Sequence, residues 1–100
     1  MGLADAAHAY QRALTLDDQE GNATASATDW FNYGQFLRSQ HADAVLVLAC
    51  LIHAEDLFGG NASRDTVAGV RRTVEADQPG AAARARQTLD ASLAAARRLY

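Results

Sequence analysis

The amino-acid sequence predicts an all-α fold in which about five antiparallel helices form one domain. Apolar residues make up 49% of the 100 residues and recur at helical spacing along most of the chain. Alanine, the residue with the highest intrinsic helix propensity, is abundant, and the one proline lies in a polar stretch between two periodic segments. A chain of this length buries roughly two-thirds of its unfolded surface, so that one core forms without metals or disulfides.

The segment 30–58 organises the predicted fold. Its first half places four residues on one face of a helix: Trp30, Tyr33, Gly34 and Leu37. Its second half contains nine consecutive apolar residues, from Ala44 to Ile52. A helix that is apolar nearly all round must be covered on more than one side, and this run is far shorter than the roughly 18 to 20 residues that cross a membrane. We therefore expect a core helix with a neighbour on each flank.

Capping and turn signals set the bounds of the five predicted helices, at residues 3–16, 28–39, 43–58, 63–75 and 81–100. Thr28 or Asp29 is the predicted N-cap of the second helix, since each offers a side-chain oxygen to free backbone N–H groups. The small polar residues 19–27 before it are predicted to form a loop. Gly59 and Gly60 end the third helix, because glycine adopts a left-handed C-cap conformation at little cost.

The first and third predicted helices match each other at an offset of 41 residues, which places Tyr10 on Leu51. A self-match at this period indicates a helix-hairpin repeat. The residues resemble the tetratricopeptide (TPR) repeat family. The second-helix pattern of that family, A-x3-F/Y-x2-A-L, is matched by Ala6, Tyr10, Ala13 and Leu14. The first-helix pattern, W-x2-L-G-x2-Y, is matched by Trp30, Tyr33, Gly34 and Leu37, with the Leu and Tyr types exchanged.

This resemblance covers residues 3–58 and implies the second helix of one repeat followed by one complete repeat. Residues 61–100 match the repeat poorly and are interpreted as two capping helices. The chain departs from the family pattern at Asp18, where the family has proline, and in the loop 19–27, which is about eight residues too long for a 34-residue repeat. The resemblance also implies that the chain begins partway through a repeat unit, as a remnant or an excised piece of a longer array does.

In the TPR family, the inner face of the first helix of each repeat lines a groove that binds a protein or peptide. Transferred to this chain by the resemblance, the groove residues are Thr28, Phe31, Asn32, Gln35, Arg38 and Ser39. The spacing of Phe31, Gln35 and Arg38 independently places these three on a face distinct from the apolar one. Arg38 suits a bidentate contact with a carboxylate, and Gln35 suits a peptide backbone. The alternative is that Phe31 and Phe36 only extend the core.

A second hypothesis is structural: the chain self-associates as a homodimer or caps a longer helical-repeat protein. The predicted self-association face lies on the fifth helix and consists of Ala82, Ala85, Leu89, Leu93 and Ala96, whose small members allow close helix approach. A two-fold dimer is the commonest closed assembly. The charge is also uneven, since residues 1–60 carry eight acids and two arginines whereas residues 61–100 carry four acids and seven arginines. Such asymmetry favours head-to-tail association or docking within the chain.

Catalytic and metal-binding patterns are weak, and we expect a non-enzyme without a cofactor or metal. Cys50 and His53 lie three residues apart with Glu55 and Asp56 nearby, a set that offers soft and hard metal ligands or a nucleophilic pair. Against both, the chain has one cysteine, and it lies inside the apolar run, where cysteine behaves as a small hydrophobe.

Charge and composition narrow the partner classes. The isoelectric point near 5.4 argues against nucleic-acid binding despite the C-terminal arginines. No apolar run is long enough for a membrane span, and the single cysteine is typical of a reducing cytoplasm. All nine basic residues are arginine, which suggests a GC-rich bacterial gene.

Overall fold

The computed structural model describes residues 2–100, and within them it contains six α-helices and no strand. The helices are α1 (Leu3–Glu20), α2 (Ala23–Ser39), α3 (Ala44–Phe58), α4 (Ala62–Asp77), α5 (Ala81–Gln87) and α6 (Leu89–Arg97). The predicted all-α class is confirmed, and the prediction of about five helices is close, because the segment predicted as the fifth helix is divided in two.

Helix α3 lies at the centre of the molecule and packs against α2, α4, α5 and α6. Every residue from Val47 to Ile52 is buried, as are Ala54 and Glu55. The apolar run therefore does what its pattern predicted, since a helix that is apolar all round needs a partner on each side. Its start is fixed by Asp43, whose carboxylate accepts a hydrogen bond of 2.9 Å from the backbone N–H of Val45.

Gly34 allows α2 and α3 to approach closely. A Cβ atom at this position would lie 3.1 Å from Cβ of Cys50 and 3.2 Å from Cδ2 of Leu51. Both distances are shorter than ordinary van der Waals contact, so that a larger residue here would push the two helices apart. The small residue that the sequence places on the apolar face of α2 thus allows this close contact with α3.

The prediction of a loop at residues 19–27 is wrong. Helix α1 continues to Glu20 and α2 begins at Ala23, which leaves a turn of two residues. Gly21 adopts a left-handed conformation with φ of 66°, and the side chain of Asn22 caps α2 by accepting a hydrogen bond of 3.0 Å from the N–H of Ala25. A left-handed glycine followed by an N-cap asparagine ends one helix and starts the next without a spacer.

The predicted N-cap at Thr28 or Asp29 is wrong for the same reason. Both residues lie inside α2, after the Asn22 cap. The Thr28 hydroxyl donates a hydrogen bond of 3.0 Å to the carbonyl of Thr24, one turn earlier. Small alanine, threonine and serine residues continue a helix once an N-cap has started it, although their polarity resembles that of a loop.

The segment predicted as the fifth helix, residues 81–100, breaks at Thr88. The Thr88 hydroxyl donates a hydrogen bond of 2.8 Å to the carbonyl of Arg84 and lies 2.9 Å from the hydroxyl of Ser92. Threonines inside α1, α2 and α4 make the same bond without a break, so this bond does not by itself explain the interruption. The break separates α5 from α6, and both pack on α3.

The C-terminal end of the chain returns to α1 rather than extending an open array. The amide of Gln11 donates a hydrogen bond of 2.8 Å to the carbonyl of Leu99, and the His8 ring lies 2.8 Å from the carbonyl of Tyr100. The Tyr33 hydroxyl of α2 donates to the carbonyl of Ala96. These contacts tie the first helix to the last and close the fold around α3.

Candidate functional site

Three of the six predicted groove residues line one cavity. Thr28, Phe31 and Asn32 of α2 form one wall of a cavity of about 310 Å³. Phe58 of α3 and three residues of α4 complete it: Ser63, Thr66 and Val67. We call this the α2–α4 cavity. Its Phe31 ring is half-buried and also packs against the core, so that the ring both supports the fold and faces the cavity.

Arg38 lies at the other end of α2, in a separate cavity of about 590 Å³. We call this the Arg38 cavity. It is lined by the α2–α3 turn and the C-terminal end of α4, with His41, Asp43, Val74 and Asp77 among its residues. The Arg38 side chain is exposed and forms no ion pair within residues 2–100. Its five N–H donors therefore remain available to a carboxylate from outside.

The remaining predicted groove residues contribute less to either cavity. Gln35 is half-buried between the two, and Ser39 is exposed at the end of α2. The Ser39 hydroxyl donates a hydrogen bond of 2.6 Å to the carbonyl of Phe36, which occupies its proton. The Phe36 ring packs among other aromatic rings, with its centroid 5.4 Å from that of Tyr10. Phe36 therefore extends the core, as the alternative interpretation predicted.

The predicted self-association face is packed inside the monomer. Ala82, Ala85 and Ala96 are buried in the core, and Leu89 and Leu93 are partly buried against it. The small residues do allow close helix approach, but the helix that approaches is α3 of the same chain. Self-association through these residues stays a prediction that would require α5 and α6 to detach from α3.

Cys50 and His53 lie in surroundings that suppress their reactivity. Cys50 is fully buried, and desolvation raises the pKa of its thiol to about 12, whereas a nucleophilic cysteine needs a thiolate at neutral pH. Burial lowers the pKa of His53, whose ring packs edge-on against Trp30 with a centroid separation of 5.5 Å. In the part of the chain that the structure describes, no three His, Cys, Asp or Glu side chains are placed to hold a metal ion.

The sequence analysis did not predict two clusters of charged side chains that are largely buried. The first joins α3 to α4, where Arg71 contacts Glu55 through two bonds of 2.5 and 3.0 Å and also contacts Glu75 at 3.0 Å. Hydrogen bonding to Glu55 raises the pKa of Arg71 above its usual value. The 16-residue separation of Glu55 and Arg71 gives no local signal, because it depends on how α4 folds back over α3.

The second group lies at the junction of α1 and α2, where the carboxyl of Asp17 meets that of Asp29. Desolvation, together with the neighbouring Asp17 carboxyl, raises the pKa of Asp29 to about 6. Asp17 is only 7% exposed, and its Oδ2 atom is buried without a hydrogen-bond partner within residues 2–100. The sequence analysis missed their proximity because it predicted a loop at residues 19–27. The two-residue turn that the structure has there brings Asp17 and Asp29 together.

Comparison of the chain with protein-family models, with curated protein sequences and with solved structures finds no match. The TPR resemblance therefore stays a prediction based on the residues that match its patterns. Within residues 2–100, none of the helices combines the length and the apolar character that crossing a membrane requires.

Proposed function

We propose that this protein is an interaction module that binds a short peptide segment of a protein partner along α2, on the side that faces α4. The observation that carries the proposal is the α2–α4 cavity, which combines the aromatic walls of Phe31 and Phe58 with a polar rim. Concave sites with apolar walls and a few polar groups are the usual form of ligand pockets. The TPR resemblance supports the same surface, because it places the groove on this face of the first helix of the repeat.

The spacing of the two cavities defines the peptide. Residues 31 and 38 are seven positions apart on α2, which corresponds to about 10 Å along a helix. An extended peptide covers that distance in about three residues. We therefore propose a ligand with an apolar side chain in the α2–α4 cavity and a carboxylate on Arg38, about three residues away. A cytoplasmic location, favoured by the single buried cysteine, belongs to the same proposal.

Selection from a random peptide library on the immobilised full chain tests this function. We expect enrichment of peptides that carry an apolar residue about three positions from an acidic residue or the C-terminal carboxylate. Selected peptides should lose at least tenfold in affinity for the double variant Phe31→Ala, Arg38→Ala. A matched control is Arg72→Ala, which removes another exposed arginine without an ion pair in the described chain.

Two outcomes would overturn the proposal. One is a library that yields no common pattern above background. The other is a selected peptide that binds the double variant as tightly as the wild type. Circular dichroism of the variants separates loss of binding from loss of helix, because Phe31 also packs against the core.

Self-association is a second candidate function, and the outer face of α1 favours it. Leu16 is 55% exposed on that helix. A cavity of about 610 Å³ beside Leu16 is lined by α1 and by Arg97 of α6. The same face would serve a module that caps a longer helical array. Light scattering over a concentration series should give the mass of two chains for the wild type and of one chain for Leu16→Arg. A single-chain mass for the wild type at every concentration would exclude the homodimer.

A further inference from the structure

A fourth cavity, of about 250 Å³, lies where the α1–α2 turn meets α3. The lining residues that matter here are Asp17, Asp18, Ser26, His53 and Leu57. We call it the Asp17 cavity. It shares no residue with the α2–α4 cavity or with the Arg38 cavity. Its lining combines carboxylates and a hydroxyl with the apolar side chain of Leu57.

The carboxylate of Asp17 is the unusual feature of this cavity. It is more than nine-tenths buried, and its Oδ2 atom lacks a hydrogen-bond partner in the described residues. Asp29 lies near it, and desolvation together with the Asp17 carboxyl raises the pKa of Asp29. Above the raised pKa of Asp29, about 6, a second negative charge develops near Asp17, and a buried charge without a partner is costly.

The neighbouring basic groups do not neutralise the pair. Arg97 forms an ion pair of 2.7 Å with Asp18, and its guanidinium lies 5.2 Å from the centre of the Trp30 ring. His53 faces the cavity from α3, but burial lowers its pKa, so that it is neutral at pH 7. The other charges that act on His53 are Asp56, Asp18 and Asp90, which are acidic, and Arg97. Arg97 is thus the counter-charge of Asp18, whereas the Asp17 carboxylate forms no ion pair within residues 2–100.

We propose that the Asp17 cavity binds an alkylammonium group, whose charge neutralises the Asp17–Asp29 pair. An ammonium carries three N–H donors, which match the Asp17 carboxylate and the Ser26 hydroxyl. Its alkyl chain lies against Leu57. Two sources present the same chemistry, a free primary amine and the lysine side chain of a protein partner. This site is independent of the proposed peptide surface, because it uses a different side of α2.

Titration of the full chain with propylammonium at pH 7.5 tests this site, with tetramethylammonium as a probe of equal charge that has no N–H donor. The fluorescence of Trp30, the one tryptophan of the chain, and the carboxyl carbon shifts of Asp17 and Asp29 report binding. We expect saturable binding of propylammonium and none of tetramethylammonium. At pH 5 a proton occupies most of the Asp29 carboxyls, so the affinity should fall about tenfold.

Variants and a second probe locate the site and its ligand. Asp17→Asn should weaken propylammonium binding at least tenfold, whereas Asp65→Asn, an exposed acid on α4, should leave it unchanged. A lysine peptide blocked at both ends distinguishes the sources. Tighter binding of the peptide than of propylammonium indicates a partner side chain, and the reverse indicates a free amine.

The proposal is overturned if neither amine probe binds saturably at pH 7.5, or if Asp17→Asn binds propylammonium like the wild type. Should Asp17→Asn fail to fold, the wild type decides. Saturating propylammonium must then lower the pKa of Asp29 measured by its carboxyl shift, and an unchanged pKa would reject the site.

Discussion

The centre of α3 and the junction of α1 with α2 are both buried, yet they are stabilised in opposite ways. Around α3, apolar side chains fill the space, and the one carboxylate on its buried surface, Glu55, is paired with Arg71. At the α1–α2 junction, the buried carboxylate of Asp17 meets a second acid instead of a base. Burial alone therefore does not define stability in this molecule, because what matters is whether each buried charge has a partner.

This difference also separates structure from function within the chain. Residues that optimise packing, such as those of α3, are sufficiently explained by the fold. A buried acid pair that costs stability needs another explanation, and unfavourable local arrangements are concentrated at functional sites. The contrast between Glu55 and Asp17 is thus the physical reason to propose a ligand at the second and not at the first.

The largest effect is expected from Leu51→Ala in α3. Leu51 is fully buried and packs at the closest approach of α2, beside Gly34. Removing a buried leucine side chain costs about 2–5 kcal/mol through lost transfer energy and the cavity left behind. Urea denaturation at pH 7 measures the change. Leu16→Ala on α1, where the side chain is mostly exposed, is the control and should change stability by less than about 0.5 kcal/mol. Equal effects of the two substitutions would contradict the assignment of α3 as the centre of the core.

The next effect is expected from Glu55→Gln, which removes the charge that pairs with Arg71. Both side chains are largely buried, with 12% and 15% exposure. Leaving the guanidinium with a weaker partner should cost about 1–3 kcal/mol in urea denaturation. Glu75→Gln is the matched control, since Glu75 contacts the same arginine but is more exposed, and it should cost less. If Glu75→Gln proved the more damaging, the comparison between a paired and an unpaired buried acid would fail.

Asp29→Asn should have the opposite sign and stabilise the protein at pH 7. The pKa of Asp29 is raised from 3.8 to about 6, so the folded state holds more protons than the unfolded state between these values. Wild-type stability contributed by this group is therefore present below about pH 4 and is lost as the pH rises through 6. The substitution removes the charge of Asp29 and places an N–H donor near the Asp17 carboxylate. Because Asp29 is partly exposed, we expect a gain of only about 1 kcal/mol at pH 7.

Urea denaturation between pH 4 and pH 7.5 tests that sign. The wild type should lose stability relative to Asp29→Asn across this range, while Asp65→Asn should follow the wild-type curve. A wild type that gains stability relative to Asp29→Asn as the pH rises would show that the acid pair does not form.

Most of the fold follows from patterns that lie within single helices. The apolar run of α3, the face of α2 that carries Gly34 and the glycines after Phe58 are all visible in the sequence. The prediction failed at the connection between α1 and α2. The polar residues there suggested a long loop, whereas Gly21 and Asn22 form a turn of two residues. It also failed at Thr88, where the backbone adopts φ of −117° and ψ of 28° although no glycine or proline marks the break.

The candidate sites were less predictable, for a related reason. Thr28, Phe31 and Asn32 lie on one helix, and the TPR resemblance had already grouped them in the predicted groove. Asp17 and Asp29 are brought together only by the short turn, and their contact depends on an element that the sequence assigned wrongly. A site that joins different helices requires the tertiary arrangement, whereas one that occupies a single helix face does not.

The smallest effect is expected from Arg97→Gln, which sharpens the distinction at the α1–α2 junction. Arg97 is 32% exposed and pairs with Asp18, the neighbour of Asp17, and ion pairs near the surface contribute about 0–1 kcal/mol. Its contact with the Trp30 ring adds about 0.5–1 kcal/mol. Its loss should therefore change global stability little in urea denaturation. It also removes a positive charge beside the acid pair, so the pKa of Asp29 should rise slightly when measured by its carboxyl carbon shift. Arg98→Gln, next in the chain and exposed without an ion pair in the described residues, is the control and should leave that pKa nearer its wild-type value. If both substitutions shifted it equally, the effect would belong to the net charge of the molecule, and Arg97 would have no special place at the junction.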